Sequence, residues 1–315
     1  MTIAAIQQHG PLLRRLATRV VAGIAVLWAA ATAAFLALHA MPGNVADILA
    51  GDNTYPGLRE SLERQWGLDK PILVQYAEFL GRLAHGDLGT SYTMRQPVTS
   101  VIGPQVMPTV ELAVAAGVLA VVASVLAAVL TAGRPRLRAF SSTVELVGSS
   151  VPVFWVGIVL LMIFSFKLKL FPVAGAGSVA ALVLPAITLA LPTAGVLSQV
   201  LRDAMERTLD QPFVTTVRAR GVSEATMRVR HALKHALLPV LSLAGWLVGS
   251  LLGGAVITES VFSRPGLGSV TLNAVTTKDM PVVLAVVLIA AFVYVVVSTL
   301  VDVLHLSIDP RLRTA

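Results

Sequence analysis

Long apolar runs without Lys or Arg recur along the chain, and polar segments separate them. About 20 consecutive apolar residues are enough for a helix to cross the hydrocarbon core of a bilayer. The pattern therefore predicts an all-α membrane protein with six transmembrane helices. The six runs are Val20–Ala40, Thr109–Ala132, Thr143–Phe166, Val179–Leu201, Leu237–Glu259 and Val282–Val303.

Composition and charge agree with this interpretation. Of the 315 residues, 56% are hydrophobic and only 13% are charged, which excludes an ordinary soluble domain and a nucleic-acid-binding chain. Fifteen of the 24 Lys and Arg residues lie in the N-terminus, segments 133–142 and 202–236, and the tail. The positive-inside rule places these four parts in the cytoplasm, so the net charge of +7 reflects topology. The absence of Cys excludes disulfides and thiolate metal sites.

Two polar segments are too long to be simple connections. Segment 41–108 contains two stretches with helix-like apolar spacing, Leu58–Trp66 and Ile72–Leu83, and predicts a small helical extracytoplasmic subdomain. Segment 202–236 is the cytoplasmic one. We predict four parts along the chain: the N-terminus with the first helix (1–40), the subdomain (41–108), a five-helix core that includes segment 202–236 (109–303) and a cytoplasmic tail (304–315).

Segment 202–236 predicts a helix, a sharp turn and a second helix. Gly221 can adopt the positive φ that ends the first helix, and Ser223 can cap the next one. Pro239 is predicted in the first turn of the fifth transmembrane helix, where its missing N–H costs little. The result is a mixed apolar and basic surface. On the sequence of this loop alone, contact with anionic lipid headgroups is as good an interpretation of that surface as contact with a protein.

A resemblance to a known family favours a different interpretation of this loop. Val217–Gly221, followed by His231–Pro239, resembles the EAA loop of bacterial ABC-importer permeases of the dipeptide, oligopeptide and nickel branch, and the long first external loop resembles the B-type permease. The loop departs from the family pattern at Val217, Arg220 and His235, and the tail at His305. Other resembling segments are Gly86–Ser91, Arg95–Val98, Pro108–Ala113, Ser150–Phe154, Glu259–Gly268, Asp279–Pro281, Asp302 and Asp309–Arg311.

The resemblance implies a type I ABC importer permease fold and uptake of dipeptides or oligopeptides, or of haem or nickel chelates. The implied partners are a homologous C-type permease, two ATPase subunits or one fused ATPase, an extracytoplasmic substrate-binding protein and membrane lipid, in the bacterial cytoplasmic membrane. The segment Phe213–His235 would dock in a groove of the ATPase. The implied ATPase-coupling residues are Phe213, Arg218, Ala219, Arg220, Gly221, Glu224, Arg228, Arg230 and His231.

The chain contains no phosphate-binding Gly-rich loop followed by Lys, so ATP and magnesium would be bound by the partner ATPases. We therefore expect a transport subunit without enzymatic activity, catalytic residues or a cofactor of its own. His231 and His235 are four residues apart but lack a third metal ligand. The alternative function is an ATP-independent secondary transporter, which would need a polar or ionic site near the membrane midplane.

Small residues and prolines within the runs give further expectations. Gly245, Gly249 and Gly253 form a stripe on one face of the fifth helix. The stripe predicts close packing inside the bundle or against a second permease; the alternative is that it lines a solute path. The prolines at 152, 185 and 192 are predicted to interrupt the third and fourth helices, either as bends that the packing accommodates or as parts of a gate.

Four acidic residues lie near the ends of the apolar runs. An acid within a membrane span is costly unless it has a partner. Because each lies within about two turns of a run's end, we expect hydrogen bonds at the interface or between helices rather than ion coupling. The four are Glu111, Glu145, Glu259 and Asp302.

Overall fold

The structure, a computed structural model, describes residues 3–43, 45–50 and 57–308. Within these residues the chain is helical and has no β-strand, which confirms the predicted all-α class. The side chains of residues 3–17, 238 and 305–308 are not described, so the departure at His305 lies outside the described part. The tail beyond residue 308, with the motif Asp309–Arg311, also lies outside it.

Fourteen α-helices and two π-helical segments follow one another in the described residues. Their order is α1 Ile3–Ala40, α2 Val45–Ala50, α3 Leu58–Trp66, α4 Ile72–Ala84, α5 Val98–Thr131, α6 Pro135–Ser150, α7 Val153–Leu160 with a π-segment Leu161–Lys167, α8 Val179–Leu209, α9 Pro212–Ala219, α10 Glu224–Thr226 with a π-segment Met227–Ala232, α11 Leu233–Leu241, α12 Ala244–Val261, α13 Leu267–Thr276 and α14 Met280–Ile308.

Five helices among the described residues are long and apolar enough to cross a membrane, and a bent pair gives a sixth span if it counts as one. With the bent pair counted as one span, the predicted number of six spans is confirmed. The five are Thr18–Ala40, Val98–Thr131, Val179–Leu209, Ala244–Val261 and Met280–Leu304. Helices also form at both predicted stretches of segment 41–108, as α3 and α4. The side of the membrane on which they lie stays a prediction.

The bent pair is the third predicted span, where α6 and α7 meet at an angle of 100°. Pro152 precedes α7, so the predicted interruption at this proline is confirmed. Val151 has an extended backbone with ψ 133°. Because a proline disfavours helical geometry in the residue before it, helix α6 ends there.

The other two prolines lie inside a continuous helix. Pro185 and Pro192 belong to α8, which continues from Val179 to Leu209, so neither proline ends the fourth span, and the choice between an accommodated bend and a gate stays a prediction. Ser178 caps the start of α8, because its hydroxyl accepts a hydrogen bond from the Ala181 N–H at 3.3 Å. Neighbouring helices can support a proline within a membrane helix, and Pro185 is itself buried.

The fifth span begins later than predicted. The helix from the preceding loop continues through Pro239 to the end of α11, and α12 starts at Ala244 after a turn. The expectation that Pro239 lies in the first turn of the span is therefore wrong. Helix α11 ends at Leu241, two residues after this proline.

The chain divides into two compact units. Unit 1 comprises the chain up to residue 105 together with residues 270–299, and unit 2 comprises residues 106–269 with the chain from residue 300 onward. In unit 1, α4 packs on α1 through aromatic side chains. In unit 2, α8 packs against α6, α7, α11 and α12. One buried apolar cluster of unit 2 consists of Leu112, Ala116, Ala120, Ala186, Leu189, Ala190, Leu251 and Ala255.

Candidate functional site

The loop that resembles an ATPase-docking element folds as the predicted helix, turn and helix. Helix α9 ends at Ala219, and Gly221 has a φ of +79°, which an L-residue rarely adopts. The Ser223 hydroxyl accepts a hydrogen bond from the Thr226 N–H at 3.3 Å and caps the next helix. We refer to residues 212–236 as the coupling segment.

Apolar side chains hold the coupling segment against the body of unit 2. Val214 and Met227 are fully or almost fully buried on either side of the turn. The final turns of the segment join a buried cluster with the ends of α5 and α8, which we call the alanine cluster. Its members are Ala128, Ala132, Leu201, Ala204, Met205, Ala232 and Ala236. Because small side chains allow close approach, the second helix of the segment lies directly against α5 and α8.

The opposite side of the coupling segment is charged and exposed. Arg218 and Glu224 form an ion pair across the turn, with 2.7 Å between Nε and Oε1. The hydrogen bond from Arg218 lowers the pKa of the Glu224 carboxyl below its usual value, and the same bond raises the pKa of Arg218. Ala219, Arg220 and Arg230 are exposed nearby. A partner protein could therefore reach these side chains without rearrangement of the segment.

Two predicted docking residues are placed differently. Arg228 is 8% exposed, and His231 is partly buried. Both lie in the π-segment Met227–Ala232. The segment turns the consecutive residues Met227 and Arg228 inward. Arg228 is thus covered by the chain's own atoms rather than exposed as an arginine on a regular helix surface would be.

Phe213 links the two helices of the segment. It is 38% exposed, and its ring lies 5.8 Å from the ring of His235, measured between centroids. Of the predicted coupling residues, the structure therefore brings Arg218 and Glu224 together across the turn at Gly221, and it places Phe213 against His235.

A buried ion pair lies where α8 approaches α6. The guanidinium of Arg202 holds the Glu145 carboxylate with both terminal nitrogens, and the Nη1–Oε1 distance is 2.8 Å. The hydroxyls of Thr131, Ser141 and Ser142 accept further hydrogen bonds from the same guanidinium. The pair therefore ties α5, α6 and α8 together just before the coupling segment.

Arg202 was predicted in the polar segment 202–236, and this prediction is wrong for its side chain. Its side chain is 2% exposed and lies within α8. The acid in the third apolar run was the available signal, because a buried carboxylate needs a partner. The expected role of Glu145, hydrogen bonding between helices, is confirmed.

A second buried carboxylate organises the end of α12. Glu259 is fully buried and accepts hydrogen bonds from the Thr109 hydroxyl at 2.5 Å and from the N–H groups of Gly268 and Ser269 at 2.8 and 3.1 Å. It therefore caps the first turn of α13. We refer to residues 259–269 as the Glu259 turn. A side chain at Gly266 would lie 2.3 Å from the Glu259 carboxylate, so this close contact requires glycine.

Arg264 lies in the same turn and is also buried. Its Nη2 donates to the Glu111 carboxylate at 3.1 Å and to the Pro108 carbonyl at 3.3 Å. The two motifs Pro108–Ala113 and Glu259–Gly268, which are remote in sequence, thus form one hydrogen-bonded cluster. Glu111 and Glu259 both have the expected role between helices.

Two further motifs meet in unit 1. The Asp279 carboxylate accepts hydrogen bonds from the main-chain N–H groups of Tyr92 and Thr93 at 3.0 and 3.2 Å, and from the hydroxyls of Ser91 and Thr93. Burial raises the pKa of Tyr92 to about 12. The neighbouring Lys278 ammonium donates to the Gly43 carbonyl at 2.8 Å. The loop around residue 91 is therefore fixed to the start of α14.

The glycine stripe of α12 does not pack within this chain at two of its positions. No atom lies within 4 Å of a Cβ built at Gly249 or Gly253, and both residues are exposed. The close contact falls instead on Gly254, where a Cβ would meet Leu189 at 2.5 Å. Among the described residues, nothing packs against these two glycines, and packing in the bundle or against a second permease, or a role in a solute path, stays a prediction for the stripe.

No group of three or more potential metal-binding side chains occurs in the residues that the structure describes.

Comparison with known proteins identifies the family. The model of the binding-protein-dependent transport system inner membrane component matches residues 120–314, and the corresponding N-terminal model matches residues 12–113. A Brucella abortus protein named as a peptide transport system permease is 36% identical over 306 residues, covering 94% of this chain and 97% of the relative. A Brucella suis protein of the same description is 35% identical with the same coverage.

The glutathione transport system permease protein GsiC of Escherichia coli K12 is also similar. It is 33% identical over 292 residues, which cover 92% of this chain and 95% of GsiC. These matches extend over both units and both groups of motifs. The chain is therefore a multi-pass membrane protein, and it belongs to the binding-protein-dependent transport family as the permease component of an ABC importer.

Proposed function

We propose that this permease takes up short peptides, with dipeptides, oligopeptides and glutathione-like tripeptides as the substrate class. The names of the Brucella and Escherichia relatives, which refer to peptide and glutathione transport, support this choice. Haem and nickel chelates, which the sequence resemblance also allowed, have no support from these names. A substrate-binding protein outside the membrane would deliver the peptide and carry most of the selectivity.

The observation that carries the coupling proposal is the two-sided coupling segment. One side is buried in the alanine cluster, and the other presents Arg218, Arg220 and Arg230 with Glu224. A force applied to the exposed side would therefore reach α5 and α8 through packed atoms. The proposed partner on this side is an ATPase dimer or a fused ATPase, which binds ATP and magnesium. Because the segment is rich in bases, we place it in the cytoplasm of a bacterium, with both chain termini.

The second proposed partner is a homologous permease that completes the path. The exposed stripe of α12 supports this proposal, because Gly249 and Gly253 leave its surface open beside Trp246 and Ile257. A neighbouring helix from the partner, or the solute itself, would occupy this surface.

The test is uptake of a labelled dipeptide and of glutathione by the transporter reconstituted with the subunits encoded beside it. We expect uptake that requires both ATP and the binding protein, and that stops when the ATPase is inactivated. Uptake that persists with an inactive ATPase would instead support the secondary transporter. ATP-driven uptake of some other solute class, without uptake of peptides, would contradict the substrate proposal alone.

A further inference from the structure

Helix α4 has an exposed apolar side that neither the coupling proposal nor the family assignment explains. It lies in segment 41–108, for which the sequence predicted a subdomain outside the membrane. Leu73 is 77% exposed, and Ile72 and Val74 are 45% and 42% exposed. In a helix surrounded by water on all free sides, such a group of exposed apolar residues would be unfavourable.

The contacts of α4 place it beside a membrane-spanning helix. Within unit 1, the Tyr76 hydroxyl lies 2.6 Å from the hydroxyl of Thr32, and the Phe79 ring stacks on Phe35 at 5.8 Å. The His39 ring forms a hydrogen bond of 3.2 Å with Gln75. These three contacts fix one side of α4 along the last turns of α1.

The depth of these contacts follows from helix geometry. The span Thr18–Ala40 has 23 residues and is about 35 Å long, slightly longer than the hydrocarbon core of about 30 Å. Thr32 lies eight residues before Ala40, which is about 12 Å from the end of the span. A span that is centred on the hydrocarbon core would therefore place the contact between Tyr76 and Thr32 within the hydrocarbon layer.

The remaining surface of α4 is divided by polarity. Leu73, Ala77 and Ala84 follow one another at helical spacing on one side, and Leu73 and Ala77 are exposed. Glu78, Arg82 and His85 follow at the same spacing on the other side and line a shallow concave surface. Glu78 also forms an ion pair with Lys70 at 2.5 Å. This division is typical of a helix at the boundary between acyl chains and headgroups.

We propose that α4 is an interfacial helix whose apolar side, Leu73 and Ala77, contacts the acyl chains of the lipid leaflet in which α1 ends. Its polar side, with Glu78 and Arg82, faces headgroups and water. The occupant is lipid because α4 packs on α1, a membrane-spanning helix with exposed apolar side chains of its own, such as Leu36, which is 55% exposed. Segment 41–108 is thus partly a membrane-bound element, and α4 braces the end of the first span.

The test uses site-directed nitroxide labels, for which the absence of cysteine in this chain leaves no background. Leu73→Cys and Ala77→Cys probe the apolar side, Arg82→Cys is the matched control on the polar side, and Leu36→Cys is the lipid reference. The full-length chain is labelled before it is assembled with its unlabelled partner subunits, in vesicles of phosphatidylethanolamine and phosphatidylglycerol. Collision rates with oxygen and with a water-soluble nickel chelate are measured by electron paramagnetic resonance.

We expect labels at 73 and 77 to resemble the label at 36, with oxygen collisions severalfold more frequent relative to nickel than at 82. If the label at 73 collides with nickel as often as the label at 82, that side faces water and the proposal is wrong. If it is protected from both reagents, another protein covers it and the proposal is also wrong. The two positions give independent readings, so a poorly folded variant at one does not remove the test.

Discussion

The coupling segment and the Glu259 turn contain the same residue types in opposite situations. Each has a glycine, a glutamate and an arginine close to a helix end. In the coupling segment, Arg218 and Glu224 are exposed, and a Cβ at Gly221 would touch no atom. In the Glu259 turn, Glu259 and Arg264 are buried and bound by the chain itself.

The difference separates a turn whose charges the chain itself binds from a turn whose charges are open to another protein. A buried charge that is bound by the chain's own groups cannot lose them without a large cost, and it is not available to another protein. An exposed charge on a firmly packed segment contributes little to the free energy of folding and is free to bind another protein. Substitutions in the two regions should therefore separate loss of folding from loss of transport, and the following predictions go from the largest effect on stability to the smallest.

The largest effect on stability is expected at the buried ion pair Arg202–Glu145, which is the counterpart of the exposed pair Arg218–Glu224. Glu145→Ala leaves the Arg202 guanidinium buried without its carboxylate, and we expect a loss of about 3–5 kcal/mol in the free energy of unfolding. Thermal unfolding of the purified protein in detergent measures this loss. Glu224→Ala is the matched control and should leave the melting temperature unchanged. Equal effects of the two substitutions would contradict the distinction between buried and exposed pairs.

The next effect concerns space at a glycine. In Gly268→Ala, the added methyl group would lie 2.4 Å from the Val256 Cα, a contact that only main-chain movement relieves. We expect a loss of about 3 kcal/mol and a reduced yield of folded protein. The control Gly253→Ala adds a methyl group where no atom lies within 4 Å, and it should be tolerated. A Gly268→Ala variant as stable as the control would show that the Glu259 turn is less tightly packed than its geometry indicates.

A smaller effect on stability is expected at Gly221, where a side chain would have space but the backbone has a positive φ that favours glycine. Gly221→Ala meets no neighbouring atom but requires alanine to adopt a φ near +79°. We expect a cost of about 1 kcal/mol, which is the strain of a left-handed conformation. The same unfolding measurement tests it. A cost as large as that of Gly268→Ala would mean that the turn has contacts beyond its backbone conformation.

The smallest effect is a pH dependence of the exposed pair. Because Arg218 lowers the pKa of Glu224, the pair stabilises the turn at pH values above the ordinary carboxylate pKa, and this contribution disappears as the pH falls through the lowered pKa. Carbon-13 NMR of labelled glutamate, assigned with Glu224→Gln, follows the titration. In Arg218→Ala the carboxyl should titrate at a higher pH. An identical titration in the variant would show that the ion pair does not form.

Local sequence signals predicted much of the coupling segment. The positive φ of Gly221 and the cap at Ser223 depend on residues within a few positions of each other, so the sequence was sufficient for them. The six apolar runs likewise follow from local composition. The interruption at Pro152 was predicted because proline acts on its own neighbour, whereas the continuity of α8 through Pro185 depends on packing with other helices.

Long-range partners could not be predicted in the same way. Glu145 and Arg202 are 57 positions apart, and Thr109 and Glu259 are 150 positions apart. Neither pair leaves a periodic signal in the sequence, although an acid in an apolar run indicated that some partner was needed. The inward position of Arg228 depends on a π-segment, which no residue pattern in the loop indicated.

The central claim is that the turn at Gly221 transmits ATP hydrolysis to the membrane helices. Gly221→Pro tests it most directly, because proline fixes φ near −65° and cannot adopt the +79° of this turn. ATP hydrolysis and peptide uptake are measured together in vesicles that contain the assembled transporter, with Gly221→Ala as the control. We predict that the proline variant reaches the membrane and assembles, but that its ATP hydrolysis no longer drives uptake. Uptake at the wild-type rate per ATP hydrolysed would contradict the account.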